Sequence, residues 1–153
     1  MPAFFQRGGA WVLVQSVLLL AALFAPVWRC NEWEGEWSIW SGLALIVISA
    51  LIGIWGVSVL GRNRTPFPMP NPGSQLVRSG IYRWVRHPLY VSVIAFCVGW
   101  ALGWQSWPAV IVAGVTPFFF AAKARCEERW LRAQFPDYAE YARETWRFVP
   151  WIY

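Results

Sequence analysis

The chain has 153 residues, which limits it to one domain. Of these, 58% are hydrophobic, 18% aromatic and only 14% charged, against roughly 25% charged and 45–50% apolar in a soluble domain. That apolar excess can cover an outer surface as well as a core. It excludes disorder, a coiled coil and a disulfide scaffold, points to an integral membrane protein, and means that the net charge of +5 must be placed relative to the bilayer before it can argue for nucleic acid.

The first uncharged stretch, residues 10–28, is long enough to cross the roughly 30 Å hydrocarbon layer as a helix. Only Arg7 precedes it, its apolar run is longer than a typical h-region, and no small-x-small site follows, so it reads as a span rather than a cleavable signal peptide. A connector carrying Arg29 against Glu32, Glu34 and Glu36 leads to a second span over residues 38–61. The uncharged stretch 88–122 is too long for one crossing. Its turn-forming centre, Gly103-Trp104-Gln105-Ser106-Trp107-Pro108, divides it into a tight hairpin with arms at 88–104 and 107–123. Pro88 and Pro108 fall at helix starts, where a missing N–H costs nothing, and Pro117 should kink the fourth helix. The expectation is an all-α polytopic protein: four spans, a loop over residues 62–87, and a tail over 124–153 containing a short helix.

Charge orients these elements. The loop holds Arg62, Arg64, Arg78, Arg83 and Arg86 with no acid, and the tail holds most of the remaining basic residues. The positive-inside rule therefore places loop, tail and both termini in the cytoplasm. Seven tryptophans (Trp28, Trp33, Trp37, Trp40, Trp100, Trp104 and Trp107) gather at the opposite ends, as an interfacial belt does. Topology thus accounts for the basic excess, and no nucleic-acid reader motif accompanies it. Cys30, Cys97 and Cys126 are odd in number and fall at three different levels, so neither a disulfide framework nor a metal site is expected. Gly42 and Gly53 make no clear small-xxx-small face and leave the oligomeric state open.

No Asp, Glu, Arg or His, and no Lys before Lys123, lies within the spans, whereas ion-coupled transport usually needs such a group at depth. The chemistry-bearing residues collect instead in two blocks at one membrane face. After the proline-rich run Thr65 to Gly73 comes L-V-x-S-G-x-Y-x-x-x-R-H-P-x-Y, residues 76–90. After the hairpin come Lys123, then E-E-x-x-L at 127–131, and Phe135, Tyr138 and Tyr141 before Pro150. Together these blocks resemble the isoprenylcysteine carboxyl methyltransferase and phospholipid methyltransferase superfamily over residues 61–150. The chain departs from it at Ser92 and Pro136, where the family commonly has glycine.

The resemblance implies S-adenosylmethionine as cofactor and an acceptor that arrives from the lipid. It implies a cofactor set of Gln75, Leu76, Val77, Tyr82, His87, Tyr90 and Glu127, with Lys123 and Arg86 facing the acceptor. The residue types suit this assignment. A carboxylate of the cofactor suits Arg86 or the N–H groups opened by Pro88. Hydroxyls or an ammonium suit Glu127 and Glu128, and an aromatic wall from Tyr82, Tyr90 and His87 suits adenine. No metal is required. For a protonated amine acceptor, His87 or Glu128 would be the base. Isoprenylcysteine-type carboxyl methylation is the closest resemblance, with phospholipid or lipid-amine N-methylation beside it. The rival from another class is a non-catalytic membrane scaffold or small transporter.

Overall fold

The computed structural model describes residues 3–150; the ends of the chain, including the last three residues of the expected tail, lie outside them. Five α-helices are present among the described residues: α1 (Gly9–Trp28), α2 (Glu36–Leu60), α3 (Pro88–Gly103), α4 (Trp107–Gln134) and α5 (Tyr138–Glu144). Strands are absent from these residues, and the loop between α2 and α3 carries two short 3-10 turns, Gly61–Asn63 and Gly80–Arg83. Three helices, α1, α2 and α4, are long and apolar enough to cross a membrane. The apolar helix α3 has 16 residues, which gives it a length of about 24 Å. Helix α4 continues eleven residues beyond the expected end at 123, so Glu127 and Glu128 stand on the same rigid rod as the last span.

The packing is inside out relative to a soluble bundle. Small side chains fill the shared core of α1, α3 and α4: Ala22, Ala25, Cys97, Ala101, Ala109 and Ala113. Large apolar groups such as Val17, Leu51, Ile54, Ile111 and Phe118 point outward. In hydrocarbon, an exposed leucine loses nothing, so close backbone approach decides which faces pair. Helices α2 and α3 approach most closely at Gly42 and Gly99. A Cβ on Gly42 would lie 2.6 Å from the Gly99 carbonyl, and one on Gly99 would lie 2.7 Å from the Gly42 carbonyl. Farther along the same seam, Gly53 faces Ser92, whose hydroxyl donates to the Ser49 carbonyl at 2.9 Å.

At one end the hairpin tip is tied to the α1–α2 connector. Asn31 and Glu32 donate backbone bonds to the Trp104 and Gln105 carbonyls, and the Glu32 carboxylate accepts from the Trp107 N–H at 2.8 Å. Ser106 caps α4 by accepting from Ala109. At the other end the chain crosses over itself. Residues 84–87 pair with 145–147 through a single parallel bridge, Val85 with Trp146, extended by Arg86 N–H to the Trp146 carbonyl and His87 N–H to the Arg147 carbonyl. This crossing brings the two sequence blocks together.

Replacing Gly99 by valine forces backbone apart from backbone, and overpacking of this kind costs about 1–3 kcal/mol. Thermal unfolding in detergent should show the loss in Gly99→Val, and Gly114→Ala, whose site is open, should melt like wild type.

Candidate functional site

Beneath the chain crossing lies a cleft enclosing about 800 Å³ of empty space, part of it open to solvent. Its walls come from four places: the end of α2, the loop 61–82, the start of α3, and the α4–α5 corner. Eight of the ten residues singled out from sequence line it: Gln75, Leu76, Val77, Tyr82, Arg86, His87, Tyr90 and Glu127. Glu128 and Lys123 do not.

Glu127 and Glu128 are adjacent on α4 and so point about 100° apart. Glu127 reaches the cleft with its side chain 26% exposed, whereas that of Glu128 is 4% exposed. The Tyr90 hydroxyl donates to Glu127 Oε2 at 2.5 Å, and His87 Nδ1 stands 3.8 Å from the same oxygen. Glu127 Oε1 accepts no bond among the described residues. The His87 and Tyr90 rings are stacked parallel, centroids 5.2 Å apart, one turn apart at the start of α3. Proline at position 88 begins the helix there without sacrificing a bond.

Behind this face, Glu128 is enclosed by three cationic or cation-forming side chains. Arg147 binds it with two bonds, Nε to Oε1 at 2.9 Å and Nη2 to Oε2 at 2.8 Å. Arg86 Nε and His87 Nε2 each lie 3.2 Å from Oε1. Burial alone would favour the neutral acid. The bonds from His87 and Arg147, and then their charges, overcome it and hold the Glu128 carboxyl well below the ordinary carboxylate range. The Glu128 carboxylate thus holds the side chains of Arg86, His87 and Arg147 in place. Arg86 is engaged too. Its Nη1 donates to the Ala142 carbonyl at 2.7 Å and to the Thr145 carbonyl, closing the C-terminal end of α5, which leaves Nη2 as its nitrogen without a bond among the described residues.

Lys123 is buried behind the Tyr90 ring. Its ammonium donates to Gln15 Oε1 on α1 and to the Pro66 carbonyl at 2.9 Å. It therefore ties α1 and the proline-rich strap to α4. Other ties hold the strap as well: Arg7 donates to Asn71 Oδ1 at 2.8 Å and lies over the Phe67 ring. Pro68 and Pro70 of the strap form cleft wall.

Several site residues carry no sequence signal. Asn63 lines the cleft and accepts from the Gln75 N–H at 3.0 Å. Arg147 lies 19 residues from Glu128, in no motif. Tyr138, by contrast, belongs to the tail motif; it lines the cleft, and its buried hydroxyl has no hydrogen-bond partner among the described residues. Tyr141, one turn on, also lines the cleft, and its hydroxyl donates to the Tyr82 carbonyl at 2.7 Å. Burial, with the Glu127 charge next in weight, pushes the Tyr82 hydroxyl well above its usual value, so this phenol stays neutral near the Glu127 carboxylate. The backbone N–H and C=O groups of Leu76 and Val77 likewise bond to nothing among the described residues.

This is a helical membrane bundle with a polar cleft at one end. A model of the phospholipid methyltransferase family matches residues 37–138, more than half of the chain, and the chain belongs to that family. It is 32% identical over 149 residues to the cobalt-zinc-cadmium resistance protein CzcN of Cupriavidus metallidurans, covering 95% of this chain and 64% of that protein. It is 29% identical over 151 residues to the nickel-cobalt-cadmium resistance protein NccN of Alcaligenes xylosoxydans xylosoxydans, covering 95% and 65%. It is 30% identical over 171 residues to the methanethiol S-methyltransferase of Mycobacterium tuberculosis, covering 99% and 66%. The chain thus spans slightly less than two thirds of these relatives' length.

Because the Glu128 carboxyl is held low in the folded protein, its contribution is complete above the unfolded value of 4.5 and fades as pH falls below it. Glu128→Gln should therefore be less stable than wild type by about 3 kcal/mol at pH 7. The gap should narrow on acidification from pH 5 to pH 3.5, read as melting temperature across that series.

Proposed function

We propose that the chain is an S-adenosylmethionine-dependent methyltransferase that acts on a lipophilic acceptor at the inner membrane face, with its motif-bearing end and both termini cytoplasmic. The observation that carries this reading is the cleft itself. A carboxylate with one uncommitted oxygen, Glu127, shares the cleft with the unpaired backbone edge of Leu76 and Val77, and the buried hydroxyl of Tyr138 is left without a partner. A nucleoside with an amino-acid tail needs these groups: an acceptor for hydroxyls or ammonium, a backbone edge for the base, and aromatic walls, here His87 and Tyr90. Family membership and the methanethiol S-methyltransferase relative support the reading.

The cofactor supplies an activated methyl group, and the chain supplies the geometry. Glu127, held by Tyr90, fixes one part of the ligand. Arg86 Nη2 is the nearest free cation for a carboxylate. Alignment of the two reactants can contribute about 7–11 kcal/mol to the barrier reduction. The strap and α5 cover the cleft and limit water, which favours a displacement that neutralises charge.

The motif pattern favours isoprenylcysteine-type carboxyl methylation, with a phospholipid amine as its neighbour. One observation favours a second reading, a thiol or other uncharged acceptor. Lys123, expected to face the acceptor, is turned away and bound by Gln15 and Pro66, so its ammonium does not reach the cleft to hold an acceptor carboxylate.

Calorimetric titration of detergent-purified protein with S-adenosylhomocysteine should show saturable binding. Glu127→Ala, which removes a charged hydrogen-bond partner, should weaken it about 10- to 100-fold, and the absence of binding in wild type would refute the reading. Transfer of radiolabelled methyl groups into total lipid identifies the acceptor. Alkali-released volatile methanol marks a carboxyl ester, volatile label present before alkali marks a small thioether, and label stable to alkali marks an amine.

A further inference from the structure

A second cavity lies on the far side of the Glu128 cluster from the cleft. It is an open depression with about 1050 Å³ of empty space, part of it solvent, between the start of α1 and the extension of α4 beyond the last span. Its membrane-ward wall is Trp11 and Ala122, the Trp11 ring leaning on Phe119 at 5.7 Å. Above them stand Arg125, Arg129 and Arg132, at i, i+4 and i+7 and therefore on one face of the helix. Arg129 and Arg132 are exposed and make no hydrogen bond or ion pair among the described residues. Arg147 also lines the cavity, and the one carboxylate in the wall among the described residues, Glu128, is committed to Arg86, His87 and Arg147.

We propose that this cavity is a binding site for the phosphate of an anionic phospholipid of the inner leaflet, separate from the methyl-transfer cleft. Guanidinium groups bind phosphate oxygens in fork geometry with charge assistance. Here they stand within about two and a half turns beyond the expected end of the span at residue 123, the level of the headgroups. The indole of Trp11 borders the cavity on its apolar side, where a glycerol backbone and the first acyl carbons would lie. Basic pockets between spanning helices on the cytoplasmic side suit such headgroups. A general surface charge would attract anionic lipid without a cavity, an aromatic floor, or arginines spaced to converge. The site uses none of the residues that face the cleft, so it stands whether or not the reading of that cleft does.

The test is native mass spectrometry of the full chain from mixed micelles of phosphatidylglycerol and phosphatidylcholine. Wild type should retain one phosphatidylglycerol at activation energies that strip phosphatidylcholine. Arg129→Gln with Arg132→Gln should lose apparent affinity about 25-fold, about fivefold for each arginine near the surface. Arg83→Gln with Arg143→Gln, an equal charge change on exposed residues outside the cavity, should stay within twofold. Equal loss in both double variants, or no preference for phosphatidylglycerol in wild type, overturns the proposal. Displacement of the lipid by millimolar inorganic phosphate overturns it as well, because it would show an ion site rather than a lipid site.

Discussion

The motif-bearing end of this protein depends on one buried carboxylate. Glu128 takes bonds from Arg86, His87 and Arg147, which come from the loop before α3 and from the tail after α5. Each of these cations would be costly to bury alone, and the shared anion makes their burial tolerable only while all remain in place. The crossing of residues 84–87 over 145–147, the closure of α5 by Arg86, and the orientation of the His87 ring are consequences of that single site. The adjacent Glu127 then keeps its own carboxylate for the cleft. Two neighbouring glutamates divide between holding the walls and facing the cleft, because successive helix positions point about 100° apart.

The membrane-embedded part obeys a different constraint. With large apolar groups already at ease in lipid, helix pairing rests on how closely backbones approach, and the Gly42–Gly99 contact brings α2 against α3. That seam places Leu60, the end of α2, beside Pro88 and Leu89 at the cleft. On the other flank Lys123, bound to Gln15 and the Pro66 carbonyl, ties α1 and the strap to α4. The cleft and the basic cavity are separated by the Glu128 cluster, and the two faces of α4 beyond the span carry opposite electrostatic character.

The membrane class, the approximate span positions and the charge asymmetry were legible because each is a property of composition along the chain. The hairpin at Gly103 to Pro108 was readable from turn chemistry, and Pro88 from the rule for helix starts. The Arg-His-Pro and Glu-Glu motifs pointed to most of the cleft wall because they are local patterns. What the local pattern could not say was which glutamate faced inward, since adjacent positions differ only by rotation. The role of Lys123 was equally hidden, because its partners Gln15 and Pro66 lie 108 and 57 residues away.

The amino-acid sequence by itself thus determined the solvent this chain folds in, the order of its helices, and the residue types available at one end, since hydropathy, proline and charge act over a few turns. Only the tertiary structure decided that Arg147 completes the Glu128 cluster, that Asn63 and Tyr138 line the cleft, and that Arg129 and Arg132 stand over a cavity floored by Trp11. Those relations join segments far apart in the chain, and they exist only once backbone contacts between helices have fixed how each rod is rotated.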